Sequence, residues 1–194
     1  MEVGKFTHDY IKIFDNFLKE EELQTLIKVC KDRQFSKYGK INFSSKKSIV
    51  DKEVRNVQIW EMEHLKTNNY TQIFWTNFLG HTFKKAIKKY ADIFKLSCWF
   101  NILDIQILKY TPGGHYSFHC DDGSTTPRTI SCIFFVNDDY EGGNLVFKFP
   151  GCKELINIER TKNRMIVWPS NFIYEHSVTP VTKGERYSVV SWAK

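Results

Sequence analysis

A chain of 194 residues, 42% hydrophobic and 15% aromatic, has material for one well-buried domain and too little for two of ordinary size. Its formal charge of +6 and pI near 9.0 are mildly basic. A lysine-rich solvated surface is the plain reading of that charge, and attraction to nucleic acid or an acidic protein the sharper one. The cysteines, Cys30, Cys98, Cys120, Cys132 and Cys152, are odd in number, irregularly spaced and free of any CxxC. That pattern fits reduced thiols in a cytoplasmic setting better than a disulfide framework. Met1 leads straight into Glu2, Lys5 and Asp9, so neither a signal peptide nor a membrane partner is expected.

Tyr10 to Phe14 reads as a short strand, broken by Asp15-Asn16. Glu20-Glu21-Glu22 then opens a helix with the acidic first turn that its dipole favours, and Leu23, Leu26, Ile27 and Cys30 mark the buried face. Residues 34–54 are polar and Ser/Lys-rich, a long loop or loose hairpin. Such a segment serves either as a lid over a substrate or as an ordinary solvated loop. Phe35, Tyr38 and Phe43 lie among its lysines, a weak signal for stacking on single-stranded nucleic acid. Arg55 to Met62 reads as a strand. Residues 69–95 carry the clearest helical period: Phe74, Trp75, Phe78, Leu79, Phe83, Ile87, Tyr90, Ala91 and Phe94, with Lys84, Lys85, Lys88 and Lys89 mostly opposite. That stripe is a face for packing on a sheet.

From residue 99 onward the pattern changes to short apolar runs at 105–108, 130–136, 145–147, 165–168 and 187–192. Pro112-Gly113-Gly114, Asn137-Asp138-Asp139, Gly142-Gly143 and Lys183-Gly184 separate them. Helices first and strands after predict a single α+β domain: residues 1–98 form helical and strand support, and 99–194 a core that is a sandwich or a jelly roll.

His119 and Asp121 sit at i and i+2 on an extended segment, which turns both side chains to one face and Cys120 to the other. His176, on a distant strand, adds a third group. Two imidazoles and a carboxylate form a facial set that suits Fe(II) and leaves positions open for oxygen. Arg186 opens the last strand on one face with Ser188, Val190 and Trp192. A guanidinium aimed inward needs an anionic partner, and a carboxylate can meet it with two bonds.

With these residues in place, the chain resembles the prolyl 4-hydroxylase-like branch of the Fe(II)/2-oxoglutarate-dependent dioxygenases. The likeness rests on four ordered blocks: Tyr110 with Gly114-His115-Tyr116-Ser117-Phe118-His119-Cys120-Asp121, Arg128-Thr129-Ile130-Ser131, Glu141-Gly142-Gly143-Asn144-Leu145-Val146-Phe147, and His176 to Arg186. The resemblance implies a double-stranded β-helix (jelly roll, cupin-like). It implies Fe(II) on His119, Asp121 and His176, and 2-oxoglutarate held at its far carboxylate by Arg186, with Tyr110 and Ser188 beside it. Dioxygen would be the co-reactant, succinate the co-product and ascorbate a supporting reductant. Where relatives carry a second tyrosine this chain has Phe135, so one hydroxyl contact is lost.

The same resemblance makes a protein or peptide prolyl residue the leading substrate. A base demethylase acting on nucleic acid is disfavoured, because such enzymes carry a second arginine soon after the first, and only Lys194 follows here. Hydroxylation of a free amino acid is a further alternative, and an inactive jelly-roll binding module is opposed by the intact ligand set. His115, Tyr116 and Trp168 are candidates for a substrate cleft or for ordinary wall positions, and Asp122 takes no assigned role.

Overall fold

The computed structural model describes residues 8–42, 48–62, 69–123 and 127–194. In chain order, a 3-10 turn at His8–Tyr10 leads into β1 (Lys12–Phe14) and α1 (Glu20–Asp32). Short strands β2 (Lys37–Tyr38), β3 (Ile41–Asn42) and β4 (Ser48–Ile49) precede β5 (Arg55–Asn56) and β6 (Gln58–Glu61). After α2 (Tyr70–Phe94) come β7 (Ile102–Tyr110), β8 (His115–His119) and β9 (Ile130–Phe135). β10 (Glu141–Gly142), β11 (Leu145–Lys148), β12 (Leu155–Ile158), β13 (Arg164–Pro169), β14 (Glu175–Val178), β15 (Val181–Lys183) and β16 (Arg186–Ala193) follow.

Two antiparallel sheets carry the architecture. The larger runs β1-β13-β9-β16-β7-β6-β2 and the smaller β12-β11-β14-β8-β5. The larger sheet is buried on both faces, which is why β9 and β16 are almost continuously apolar. Alternation divides their side chains. Tyr187 and Val189 of β16, with Cys132 and Phe134 of β9, face the helices and pack with Leu23, Leu26, Trp75, Leu79 and Phe83. Val190, Trp192, Ile133 and Phe135 face the smaller sheet and meet its Leu145, Phe147 and Val178. This is the double-stranded β-helix that the family resemblance implies.

α1 starts where Glu22 accepts a hydrogen bond from the Lys19 backbone N–H, and α2 where the Asn69 side chain accepts from the Gln72 N–H. The buried stripe of α2 is Trp75, Leu79, Phe83, Ala86, Ile87 and Tyr90. Phe74 departs from the expected stripe and is 58% exposed. It lies one position off that spacing and stacks on Phe78 instead of the sheet. No helix of the described residues is long and apolar enough to cross a membrane.

Two further expectations are refined. The strand predicted over 55–62 is two strands: β5 pairs with β8 in the smaller sheet, and β6 with β7 in the larger. Val57, between them, packs into the core shared by the sheets. The polar segment 34–54 does contain a hairpin, β3 against β4, and β2 caps the edge of the larger sheet. Phe43, Lys46 and Lys47 lie outside the described residues. Phe35 is buried near Tyr187, and the Tyr38 ring lies under Lys52, so neither is a free stacking platform.

Candidate metal and anion site

β8 pairs with β14 so that His119 lies directly across from His176, their ring centroids 4.3 Å apart. Asp121 follows the end of β8 in a bend, not on the strand itself, yet its carboxylate still turns back to the pair. His119 Nε2 is 3.7 Å from one Asp121 oxygen and His176 Nε2 is 3.5 Å from the other. All three candidate ligand atoms lie within 4.8 Å of one another, a spacing that can hold a metal ion.

Local backbone geometry sets the orientation of both rings. His119 Nδ1 lies 2.9 Å from the Ser117 carbonyl, and His176 Nδ1 3.0 Å from that of Tyr174. An Nδ1–H donor to a carbonyl leaves the Nε2 lone pair free to face the centre. Tyr116 stacks on His119 at 3.6 Å, and the Trp168 ring stands edge-on to His176 at 5.1 Å. Burial and the neighbouring His176 push the His119 pKa down to about 3, so the ring is neutral.

Asp121 is held ionised. Burial works to raise its pKa, but His176, His119, the Ser131 hydroxyl and Arg128 outweigh it and hold the carboxyl below its ordinary value. Ser131 Oγ donates to Asp121 at 2.7 Å, and the Ser170 hydroxyl lies 2.7 Å from Ser131. Arg128 Nη1 is 3.9 Å from the carboxylate, with its guanidinium 3.7 Å above the Trp192 ring. The Arg128 backbone N–H donates to Asp122, which gives that residue a structural role.

Arg186 occupies a different environment. It is completely buried, opposite Tyr110 in the β16–β7 ladder and between the Tyr110 and Phe135 rings. Nη1 donates to Ser188 Oγ at 3.0 Å, while Nε and Nη2 have no hydrogen-bond partner among the described residues. Gly143, at φ 61°, makes room for it, since a Cβ there would come within 3.0 Å of Arg186 Cδ. Orphaned buried N–H groups on a permanent cation are costly unless an anion meets them. The donor set therefore fits a carboxylate-bearing ligand, and the His-Asp-His set fits a divalent cation. Tyr110 joins the two parts. Burial raises its hydroxyl pKa, and both Arg186 and Asp121 act on it.

A cavity of about 1030 Å³ opens over His119, Asp121, His176 and Tyr110, walled by Tyr116 and Trp168 among others. Arg186 and Ser188 lie outside that lining. His115 is not part of the wall either, because both its ring nitrogens face backbone carbonyls. Cys120 directs its thiol at the Phe172 carbonyl, away from the metal set. Sequence reasoning assigned no role to Arg128, Ser131 or Arg55, all of which shape the site. Ser131 had one usable signal, since it alternates with Ile133 and Phe135 on the inward face of β9.

Residues 105–194 match the sequence model of the 2OG-Fe(II) oxygenase superfamily. A PKHD-type hydroxylase of Parvibaculum lavamentivorans is 31% identical over 98 residues, covering 48% of this chain and 43% of the relative. One from Sphingopyxis alaskensis is 32% identical over 117 residues, covering 55% and 51%. The chain thus spans about half the length of the curated relatives it matches. A Pseudomonas putida prolyl-4-hydroxylase shares the fold, with TM-score 0.67, 18% identity and coverage of 95% of this chain and 92% of that one. A prolyl hydroxylase from Trichoplax adhaerens, solved with a hypoxia inducible factor peptide fragment, superposes with TM-score 0.74 at 16% identity, covering 95% and 83%. The fold is prolyl 4-hydroxylase-like, and the superfamily's cofactors are Fe(II), 2-oxoglutarate and dioxygen.

Proposed function

We propose that this protein is an Fe(II)- and 2-oxoglutarate-dependent dioxygenase that hydroxylates a C–H bond, with a prolyl residue of a protein or peptide as its substrate. One observation carries the reading: two imidazoles and an ionised carboxylate converge at one end of a site whose other end is a buried arginine with two nitrogens unpartnered among the described residues. A cation set joined to an anion set through Tyr110 is what a metal with a dicarboxylate cosubstrate requires.

In this reading His119, Asp121 and His176 hold the metal. Bound iron, with dioxygen, supplies oxidation of C–H to C–OH coupled to conversion of 2-oxoglutarate to succinate and carbon dioxide. The chain's own residues do the positioning. Ser131 and Arg128 orient Asp121, and the Ser117 and Tyr174 carbonyls fix the two rings. Arg186 Nε and Nη2 donate to the far carboxylate of 2-oxoglutarate. Ser188 accepts from Arg186, so its own hydroxyl proton is free to donate to the same group. Tyr110, kept protonated by burial, is a third donor. Tyr116 and Trp168 pack on the ligand rings and limit access of water.

Support for a prolyl substrate is the shared fold with prolyl hydroxylases and a cavity wall of Tyr116, Trp168 and Trp192, suited to a small apolar ring. The test is succinate formation with Fe(II), ascorbate and 2-oxoglutarate while offering proline-containing peptides, free amino acids and methylated oligonucleotides. Turnover with the peptides is expected. Absence of any turnover, even uncoupled, together with no iron binding would sink the enzyme reading. Turnover confined to oligonucleotides or amino acids would move the substrate to that class.

A further inference from the structure

Three histidines of this chain share one local geometry. In His115, His119 and His176, Nδ1 lies 3.0, 2.9 and 3.0 Å from the carbonyl oxygen two residues earlier. In His119 and His176 the opposite nitrogen faces Asp121. In His115 it faces another carbonyl, that of Glu53, at 2.9 Å. Carbonyl oxygens only accept, and a neutral imidazole carries a single N–H, so it cannot satisfy both. This arrangement requires the imidazolium. The Glu53 and Gly113 carbonyls accordingly raise the His115 pKa above its ordinary 6.5, against the opposing effect of burial.

The contact joins two parts of the site. Val50, Val54 and Arg55 line the cavity, as do Tyr38 and Ile41, so the described parts of the strap, 37–41 and 50–55, form one of its walls. The root of that strap lies against β8. The Ser117 N–H donates to the Val54 carbonyl at 2.9 Å, and Arg55 and Asn56 pair with Tyr116 and His115. Arg55 fastens the far side, donating to the Lys40 carbonyl at 2.8 Å above the Tyr116 ring. Gly39 lets it in, since a Cβ there would fall 2.6 Å from Arg55 Nε. Two cationic side chains thus tie the strap down through backbone carbonyls. Arginine keeps its charge at any working pH, whereas histidine does not.

We propose that His115 is a proton-operated staple that fastens the root of the cavity wall to β8 when charged and releases the Glu53 carbonyl when neutral. Nδ1 keeps its proton for the local carbonyl, as in the other two histidines. The lone pair therefore appears at Nε2, against the Glu53 oxygen. The folded-state pKa is the raised one, so the fastening is complete below pH 6.5 and is lost as pH rises through the folded value. The ionisable groups on the packed elements are Asp51, Lys52, Glu53 and Arg55 on the strap, Tyr116 and His119 on β8, and Glu175 and His176 on β14. Asp51 accepts from the Glu53 N–H, Lys52 lies over the Tyr38 ring, and Arg55 is held as described.

The experiment is imidazole 15N NMR of the full chain between about pH 5.5 and 8.5, with amide hydrogen exchange followed at Ser117 and Arg55. His115 is expected to show two protonated nitrogens at the acidic end and a midpoint above 6.5. Exchange at Ser117, corrected for intrinsic base catalysis, should accelerate about tenfold or more across that midpoint, as expected for loss of one charge-assisted hydrogen bond. The Val136 amide, bonded to the Tyr187 carbonyl on the far sheet, should not share the change. His115→Gln should remove the pH dependence, and His115→Arg should keep protection at the alkaline end. A wild-type midpoint at or below 6.5, or the same pH dependence in His115→Gln, overturns the proposal. Should both variants fail to fold, coincidence of the wild-type titration and exchange midpoints still decides it: agreement supports the staple and separation rejects it.

Discussion

The His119–Asp121–His176 end and the Arg186 end of the site differ in how far their hydrogen bonding is finished. At the first, each imidazole is bound to a carbonyl and the carboxylate accepts from Ser131. A neutral His119 stands beside an ionised Asp121, whose carboxylate has the Arg128 guanidinium 3.9 Å away. At the second, a completely buried cation keeps two nitrogens, Nε and Nη2, without partners among the described residues. The first end is pre-arranged for a cation at little cost to the empty protein. The second presents buried donors that an anion would satisfy, so ligand binding would offset a cost that folding incurred.

Six substitutions and a pH series test that contrast. Asp121→Ala should abolish metal binding and succinate formation, a loss of at least about a thousandfold if ligand removal exceeds the 10–100-fold typical of outer-shell changes. Metal titration and turnover together check it. Arg186→Ala should leave metal affinity intact and raise the KM for 2-oxoglutarate about a hundredfold, from two lost charge-assisted bonds. Unchanged KM removes the assigned role. The companion Arg186→Met should leave the ligand-free protein about as stable as the parent, since it removes an uncompensated buried charge. A large fall in melting temperature for that variant would show that Arg186 is already paired.

Ser131→Ala sharpens the other end. It deletes the hydroxyl that orients Asp121, and metal affinity should fall about 10–100-fold with the KM for 2-oxoglutarate unmoved. Gly143→Ala reaches only the arginine end: a positive φ and contact with Arg186 together should cost about 1–3 kcal/mol, read as a lower unfolding midpoint in denaturant. The last test is pH dependence. The His119 pKa is depressed in the fold to about 3 from 6.5, so the unfolded chain binds the proton better between these values. Stability of the metal-free protein should therefore be full above pH 6.5 and fall as pH drops below it. Thermal unfolding at several pH values measures this, and His119→Gln should flatten the slope.

Much of the fold was legible because burial leaves periodic traces. The three- and four-residue steps of α2 and the apolar runs of β9, β13 and β16 predict elements that the structure contains. Where burial leaves no such trace, legibility ends. β12 alternates at an exposed edge and β14 is short and polar, so neither stands out in sequence. Residues 55–62 read as one strand because a crossing between sheets at Val57 preserves the apolar count while changing the partner. Phe74 reads as core because its residue type fits, although its angular position does not.

The site divides in the same way. The residue types at 119, 121, 176 and 186, with the Gly-Gly block, determine which chemistry is available. Imidazole, carboxylate and guanidinium have ligand preferences set by their own atoms, and Gly143 permits a backbone that other residues resist. Only the tertiary structure decides that β8 and β14 pair in the register that sets His119 against His176, and that Arg186 lies buried with two N–H groups unpartnered. It also decides that His115, with the same local geometry as the two candidate ligands, faces the Glu53 carbonyl instead of a carboxylate. A histidine's role depends on what stands opposite its second nitrogen, and that neighbour arrives from a distant part of the chain.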